Sequence, residues 1–325
     1  MSEAKKLKEL AFSDLYLGHP SLESRFSDVS GVHVNPIPAS PSLAKDIGEV
    51  LAVCRDTMKT APTATELKVC HDGVTYRVSV MQTLAGTVFV LRKVANTIES
   101  LAGLGIPQAY IRHLMTKELS GLLVVSGAVK AGKTMTACSI VKDRLAAFGG
   151  LAVTGEDPIE LPLEGSHGKG ICFQTTLPRD KRDFPDAFRQ LVRSGARMIL
   201  IDEIRDQDTA AEVLQASING HLIVTTMLAE NVTQAITKLH ALANNKLAPG
   251  GAQSLIADGL VGVLHQHIVR GPKPKMEVEF LFLKDAPVTK TVLRNGKYEM
   301  LASEIKLQMA SMISGNASAR RIGEG

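Results

Sequence analysis

The stretch Gly127-Ala128-Val129-Lys130-Ala131-Gly132-Lys133-Thr134 satisfies the spacing G-x-x-x-x-G-K-[ST]. That spacing suits a loop whose backbone N–H groups turn inward around phosphate oxygens, because glycine reaches backbone conformations that other residues avoid. Lys133 supplies a positive charge for the β- and γ-phosphates, and the Thr134 hydroxyl is suited to ligate Mg2+. The apolar run "LLVV" precedes the loop, and "TACSIVKDRLAAF" after it reads as a helix. A helix opening at Lys133, Thr134 and Met135 aims its positive end at the same oxygens. The expected ligands are ATP and Mg2+, with residues 127–135 around the nucleotide.

A bound triphosphate also needs metal ligands and a group that orients water. The apolar residues Met198 to Ile201 read as a buried strand that ends at Asp202 and Glu203. Ligand groups of open α/β sheets gather at the C-terminal ends of strands. Asp202 is therefore expected to hold Mg2+, and Glu203 to orient and deprotonate the attacking water. A second acidic segment, "TGEDPIE" from Thr154 to Glu160, follows another apolar run. Pro158 disfavours helix at Asp157, so the segment reads as a turn. Glu156 is its candidate metal ligand and catalytic group, although a solvated turn has the same composition. His221, just before "LIVTTM", is a candidate catalytic residue, but a histidine at a strand entrance also serves structure.

These groups need a sheet to position them. "GLLVVSG", "LAVTGE", "RMILID" and "GHLIVTTM" alternate with polar or helical segments, which predicts a largely parallel sheet with crossover helices over residues 96–325. Residues 1–95 read as a separate small α/β domain. It has a strand in "FSDLYL", a helix over residues 42–59, and paired strands "VTYRVSVMQ" and "GTVFVLRKV" around Gly86. The chain has 325 residues, is 45% hydrophobic and carries a net charge of +4. Aromatic residues make up only 4%, and no basic, aromatic stripe marks a nucleic-acid surface. Cys54, Cys70, Cys138 and Cys172 form no C-x-x-C pair, so reduced thiols are expected and a zinc site is not. The charged opening "MSEAKKLKEL" does not read as a signal peptide, and no apolar run approaches the length of a membrane span.

The order of the motifs, from phosphate loop through "TGEDPIE" and "ILIDEIRD" to "GHLIVTTM", resembles the secretion ATPase superfamily of type IV pili, type II secretion and type IV secretion. Within it the chain most resembles the type IV pilus retraction ATPases. "APVTKTVLRNGK" matches their C-terminal retraction motif at Ala286, Pro287, Arg294, Gly296 and Lys297, with Thr289, Lys290 and Thr291 in place of the usual residues. The resemblance implies a RecA-like P-loop domain behind a PAS-like N-terminal domain, and a homo-hexameric motor for pilus retraction. It further implies a platform protein as partner, at the cytoplasmic face of the inner membrane. A type IV secretion (conjugation) ATPase and a nucleic-acid motor are the alternatives. Arg77 and Arg92 fall on the arginine-bearing strands of the family, which implies a catalytic role on the transferred phosphoryl group. Val292 and Leu293 read either as a surface that docks on a partner or as the inner face of a structural helix in a C-terminal helical part. Asp202 stands where the family usually has glycine, Leu228 where it has a second histidine, and Lys130-Ala131 where it prefers small polar residues and glycine.

Overall fold

Apolar residues at every second position of the first strands place them in a sheet with one buried face. In the computed structural model, which describes residues 6–29, 34–177, 184–269 and 275–322, the chain separates into two units that divide after Asn96. The first holds β1 (Asp14–Leu17), β2 (Arg25–Ser27), β3 (Ile37–Pro38), α1 (Ala44–Thr60), β4 (Glu66–His71), β5 (Val74–Thr83) and β6 (Gly86–Lys93). The strands form an antiparallel sheet in the order β3-β2-β1-β6-β5-β4. Ile47, Val50 and Cys54 line one face of α1 at helical spacing and pack with Leu15, Tyr76 and Phe89 of the sheet in one core. The helix starts two residues later than its periodicity suggests, because Pro41–Leu43 form a 3-10 turn first.

The second unit runs α2 (Gln108–Leu114), β7 (Gly121–Gly127), α3 (Lys133–Phe148), β8 (Gly150–Glu156), β9 (Gly165–His167), β10 (Gly170–Thr176), α4 (Phe184–Arg193), β11 (Met198–Ile201), α5 (Gln207–Ser217), β12 (Leu222–Leu228), α6 (Val232–Asn244), α7 (Gly251–Gly259), β13 (Leu260–Val269), β14 (Lys275–Phe282), α8 (Pro287–Arg294) and α9 (Leu301–Ile322). Its sheet has the order β14-β13-β7-β12-β11-β8-β10-β9. The six inner strands are parallel, and β14 and β9 close the two edges antiparallel. All seven residues of β7 are buried. Leu122 and Val124 enter the core under α5 and α6, whereas Leu123 and Val125 enter the core under α3. This is why "LLVV" is apolar without alternation: both faces of a parallel strand are covered. Cys54, Cys138 and Cys172 are buried free thiols, and burial pushes Cys54 up to about 11 and Cys172 up to about 12. No helix among the described residues is long and apolar enough to cross a membrane.

One of these readings fails here. Val292 and Leu293 do not form a docking surface. They point into the core of the second unit, with Leu293 fully buried. The matching residues around them punctuate and anchor a structural helix. Pro287 occupies its first turn, Gly296 has the left-handed φ of +67° just past its end, and Arg294 pairs with Asp258 of α7. The Thr289 hydroxyl donates to Glu304 of α9 at 3.0 Å. Amphipathic spacing alone does not say whether the apolar face meets the chain's own core or a partner. Leu293→Ala is expected to destabilise the second unit by about 2–5 kcal/mol. A urea titration of the full chain followed by far-UV circular dichroism measures this, and an unchanged midpoint would contradict the buried placement.

Candidate functional site

Parallel pairing brings the C-terminal ends of β7, β8, β11 and β12 to one side of the sheet. Leu228 lies opposite Gly127, Ile201 opposite Gly155, and Thr225 opposite Ile201. The loop from Ala128 to Gly132 leaves β7 at that edge and delivers the chain into α3. Gly127 has no alternative there: a Cβ would lie 2.4 Å from the Gln266 carbonyl oxygen of β13. Gly132 takes the left-handed φ of +82° and begins α3 with no side chain capping it. The first N–H groups of a helix have no partner inside it, so this turn offers donors and a positive dipole end to an anion.

The Lys133 side chain is buried under the loop, and its ammonium donates to the Ala128 carbonyl at 2.8 Å. Burial lowers its pKa, and the carboxylates of Glu203 and Glu160 oppose that shift. Lys133 and Glu203 thus stand within electrostatic range although 70 positions separate them in the sequence numbering. Glu203 is nearly buried. Its Oε2 meets Arg205 Nε at 3.3 Å, while its Oε1 is buried without a hydrogen-bond partner. An unmet buried acceptor costs roughly 1–3 kcal/mol, and a water or a cation's hydration shell would relieve it. Burial also raises the pKa of Asp202, whose Oδ2 accepts from the Asp157 N–H at 3.4 Å. The Thr225 hydroxyl donates to the Asp202 carbonyl at 2.7 Å and fixes the turn after β11.

Glu156 at the end of β8 is almost completely buried, and its pKa is raised by burial. Asp202 adds like-charge repulsion, while Gln174 Nε2 donates to its Oε1 at 2.9 Å and offsets part of the shift. Glu156, Asp202 and Glu160 feel one another's charge across these strand ends, and carboxylate oxygens are the hard donors that Mg2+ takes, with waters completing its shell. Val129 and Lys130 are exposed at the loop's outer turn, Ala131 is buried, and Met135 packs partly into the α3 core.

Other candidates lie elsewhere. His221 precedes Leu222, which pairs with Gly121 at the start of β7, so it sits at the opposite end of the strands from the loop. Its Nδ1–H donates to the Ala196 carbonyl at 3.0 Å, and its own carbonyl accepts from Gly121 N–H at 2.8 Å. The structure does not bring it to the phosphate loop: a seven-residue strand separates the two ends. Arg77 and Arg92 belong to the first unit, directly opposite each other on β5 and β6. Two like charges in that register repel, and each is balanced by a carboxylate. Arg77 Nη2 donates to Glu66 at 2.8 Å, and Arg92 donates twice to buried Asp14, at 2.9 and 2.7 Å. Sequence reasoning missed Gln174, Arg205, Lys238 and Gln266. Lys238 donates to the Leu228 carbonyl at 3.1 Å and Gln266 to the Ala131 carbonyl at 2.6 Å. The only signal for Gln266 was a polar amide inside the apolar run of β13.

A family model described as type II/IV secretion system protein matches residues 59–309. The chain is 32% identical over 206 residues to the type IV pilus assembly ATPase TfpB of Acinetobacter baylyi, covering 62% of this chain and 33% of that protein. It is 29% identical over 256 residues to the type IV pilus assembly ATPase PilB of Thermus thermophilus, covering 78% and 26%. It thus spans a third or less of the length of these relatives. Among solved structures, the pilus retraction motor PilT with bound ADP superposes with a TM-score of 0.71 at 21% identity, over 92% of this chain and 87% of that one. The ATPase DotB of Yersinia pseudotuberculosis gives 0.73 at 18% identity, over 92% and 82%. At these identities the likeness establishes the fold, which is the RecA-like fold of these ATPases.

The buried carboxylates carry a pH-dependent penalty. Glu156 has its folded-state pKa raised, so the fold bears no charge penalty below the unfolded value of about 4.3 and the full penalty once pH exceeds the raised value. Glu156→Gln keeps an oxygen for the Gln174 bond and removes the charge. In nucleotide-free protein without divalent cations, the variant is expected to melt above the wild type at pH 7.5, with the difference vanishing toward pH 4. Thermal unfolding at both pH values checks this; an equal gain at both would mean that charge is not the cause.

Proposed function

Because the chain belongs to the type II/IV secretion system protein family, we propose that it is a Mg2+-dependent ATPase acting as a homo-hexameric motor for pilus retraction. One observation carries the hydrolytic reading: the orphaned, buried Oε1 of Glu203 stands within electrostatic range of the phosphate-loop lysine. In this reading Lys133 and the loop N–H groups hold the β- and γ-phosphates, and Thr134 with Asp202 would hold the metal, assisted by Glu156. When held there, Mg2+ would supply charge neutralisation for the phosphates. Glu203 orients a water and takes its proton as the water oxygen bonds to the γ-phosphorus. The bond from that phosphorus to the bridging oxygen breaks, leaving ADP and phosphate. Arg77 and Arg92 serve as phosphoryl-stabilising arginines presented to another subunit, and each must then exchange its present carboxylate for the nucleotide.

Residues 1–95 form the PAS-like domain of this motor and residues 96–325 its ATPase domain. The motor works at the cytoplasmic face of the inner membrane against a platform protein, without zinc and without specific nucleic-acid contacts. Support for retraction comes from the match of residues 286–297 to the retraction branch. The coupling surface in that segment is the outer face of α8, where Val288, Thr291 and Arg294 are exposed, since Val292 and Leu293 are internal. A type IV secretion role is the second reading, since it would use the same phosphate-loop and carboxylate motifs and the matching family is described as type II/IV secretion system protein.

Glu203→Gln is expected to retain MgATP binding and to lower kcat by roughly 10²–10⁴-fold, the range of general-base contributions. Lys133→Ala should lose both binding and turnover. Isothermal titration and a phosphate-release assay separate the two effects, and normal turnover in Glu203→Gln would move the base elsewhere. In cells, Glu203→Gln should abolish pilus retraction; intact retraction with loss of conjugative transfer would favour the secretion reading.

A further inference from the structure

The phosphate loop is held from outside by a residue far along the chain. Gln266 lies on β13, which pairs with β7 so that His265 stands opposite Ser126, the residue before Gly127. Its side chain is fully buried, and its Nε2 donates to the Ala131 carbonyl at 2.6 Å, a contact spanning 135 residues of sequence. A Cβ at Gly132 would come within 3.4 Å of the same nitrogen, so the amide lies flush against the Ala131–Gly132 peptide. One step below, the Ser126 hydroxyl and His265 Nδ1 are bonded at 3.1 Å and brace the same pair of strands.

The geometry points to Gln266 as a positioning residue for the phosphate cradle. The Ala131–Gly132 peptide is trans, so its carbonyl and its N–H face opposite ways in one plane. Drawing the Ala131 carbonyl toward β13 aims the Gly132 N–H away from β13, the side of β7 on which β11 and β8 end in Asp202, Glu203 and Glu156. Gln266 therefore sets the direction of one phosphate-binding donor without touching the ligand. The orientation of the amide follows from the same contact: with Oε1 turned toward Ala131, two acceptors would face each other. The Oε1 atom is left buried with no hydrogen-bond partner. That orphaned acceptor carries a desolvation penalty that an isosteric methionine would avoid, so packing does not account for an amide here.

The inference rests on the loop holding nucleotide phosphates, and the test separates the two. MgADP and adenosine are titrated calorimetrically against the full wild-type chain, Gln266→Met and Gln266→Glu, with the melting point of each nucleotide-free protein recorded. Adenosine lacks phosphates and so reads everything but the cradle. Gln266→Met is expected to weaken MgADP by on the order of tenfold, about the worth of one hydrogen bond, with adenosine affinity and melting point unchanged. Gln266→Glu, which sets a carboxylate against the Ala131 carbonyl, should weaken MgADP further. Wild-type MgADP affinity in Gln266→Met would overturn the role of Gln266 and leave the phosphate site standing. Equal losses for MgADP and adenosine, or failure of both variants to fold, would make Gln266 a core residue and overturn it too. A wild-type chain that does not bind MgADP removes the phosphate site and this inference with it.

Discussion

The contact on which the site depends is between two backbones. β13 approaches β7 so closely at its end that only a hydrogen fits on the Gly127 α-carbon, against the Gln266 carbonyl oxygen. This approach requires glycine at the point where the chain leaves β7. The loop that follows sets the start of α3 and the burial of Lys133. A similar contact recurs at the other end of β7, where a Cβ on Gly121 would meet the Gly259 carbonyl at 2.5 Å. The phosphate strand is thus seated against the α7–β13 segment by bare backbone at both ends. Its covered faces, with Leu122 and Val124 on one side and Leu123 and Val125 on the other, resist any slip that would move the loop.

Charge is then placed where the fold alone would not put it. Glu156 and Asp202 are held in surroundings that raise both pKa values, and Glu203 has an oxygen with no partner. Each arrangement opposes stability, and the Gln174 bond to Glu156 and the Asp157 N–H bond to Asp202 offset only part of it. Lys133 has a shift of the opposite sense, with burial working against its charge. A cation and several carboxylates that are each destabilised alone, and kept apart by the loop, form a site whose electrostatics improve when a polyphosphate and a metal enter between them. Activity and stability compete in such places. Arg77 and Arg92 of the first unit follow the contrary pattern, since each has a carboxylate at hydrogen-bonding distance.

How much of this was readable in the sequence depended on the range of the interaction. The four apolar runs at β7, β8, β11 and β12 were legible because a strand buried on both faces leaves an unbroken apolar signature. The loop was legible because a phosphate cradle needs glycine and lysine at fixed offsets. The β9–β10 and β13–β14 pairs were not read, since β10 and the edge strand β14 mix polar and apolar residues, as in "GICFQTT" and "KMEVEFLF". Gln266 and Gln174 were missed because their roles are set by contacts to distant segments, which no local spacing encodes. His221 is a different case: it precedes its strand, and in a parallel sheet with its ligand groups at the C-terminal ends that position already points away from the loop. In α8 the periodicity was visible, and only the tertiary structure shows that the apolar face is turned inward.

The divergent loop sequence can be understood from these contacts. Lys130 adopts a left-handed φ of +64°, which costs a non-glycine residue roughly 1–2 kcal/mol. Ala131, next to it, stands where glycine is usual in the family, and its methyl group lies in the packed wall beside Gly127. The Gln266 amide bond to Ala131 is worth about 0.5–1.5 kcal/mol, the same order as the strain one residue earlier. The two terms oppose each other across one peptide. A glycine at 131 would leave the loop freer and the bond from Gln266 less able to set a single conformation. With alanine there, the methyl contact and the amide bond fix the same peptide from two sides. The departure from the usual motif therefore goes with a cradle peptide held by β13.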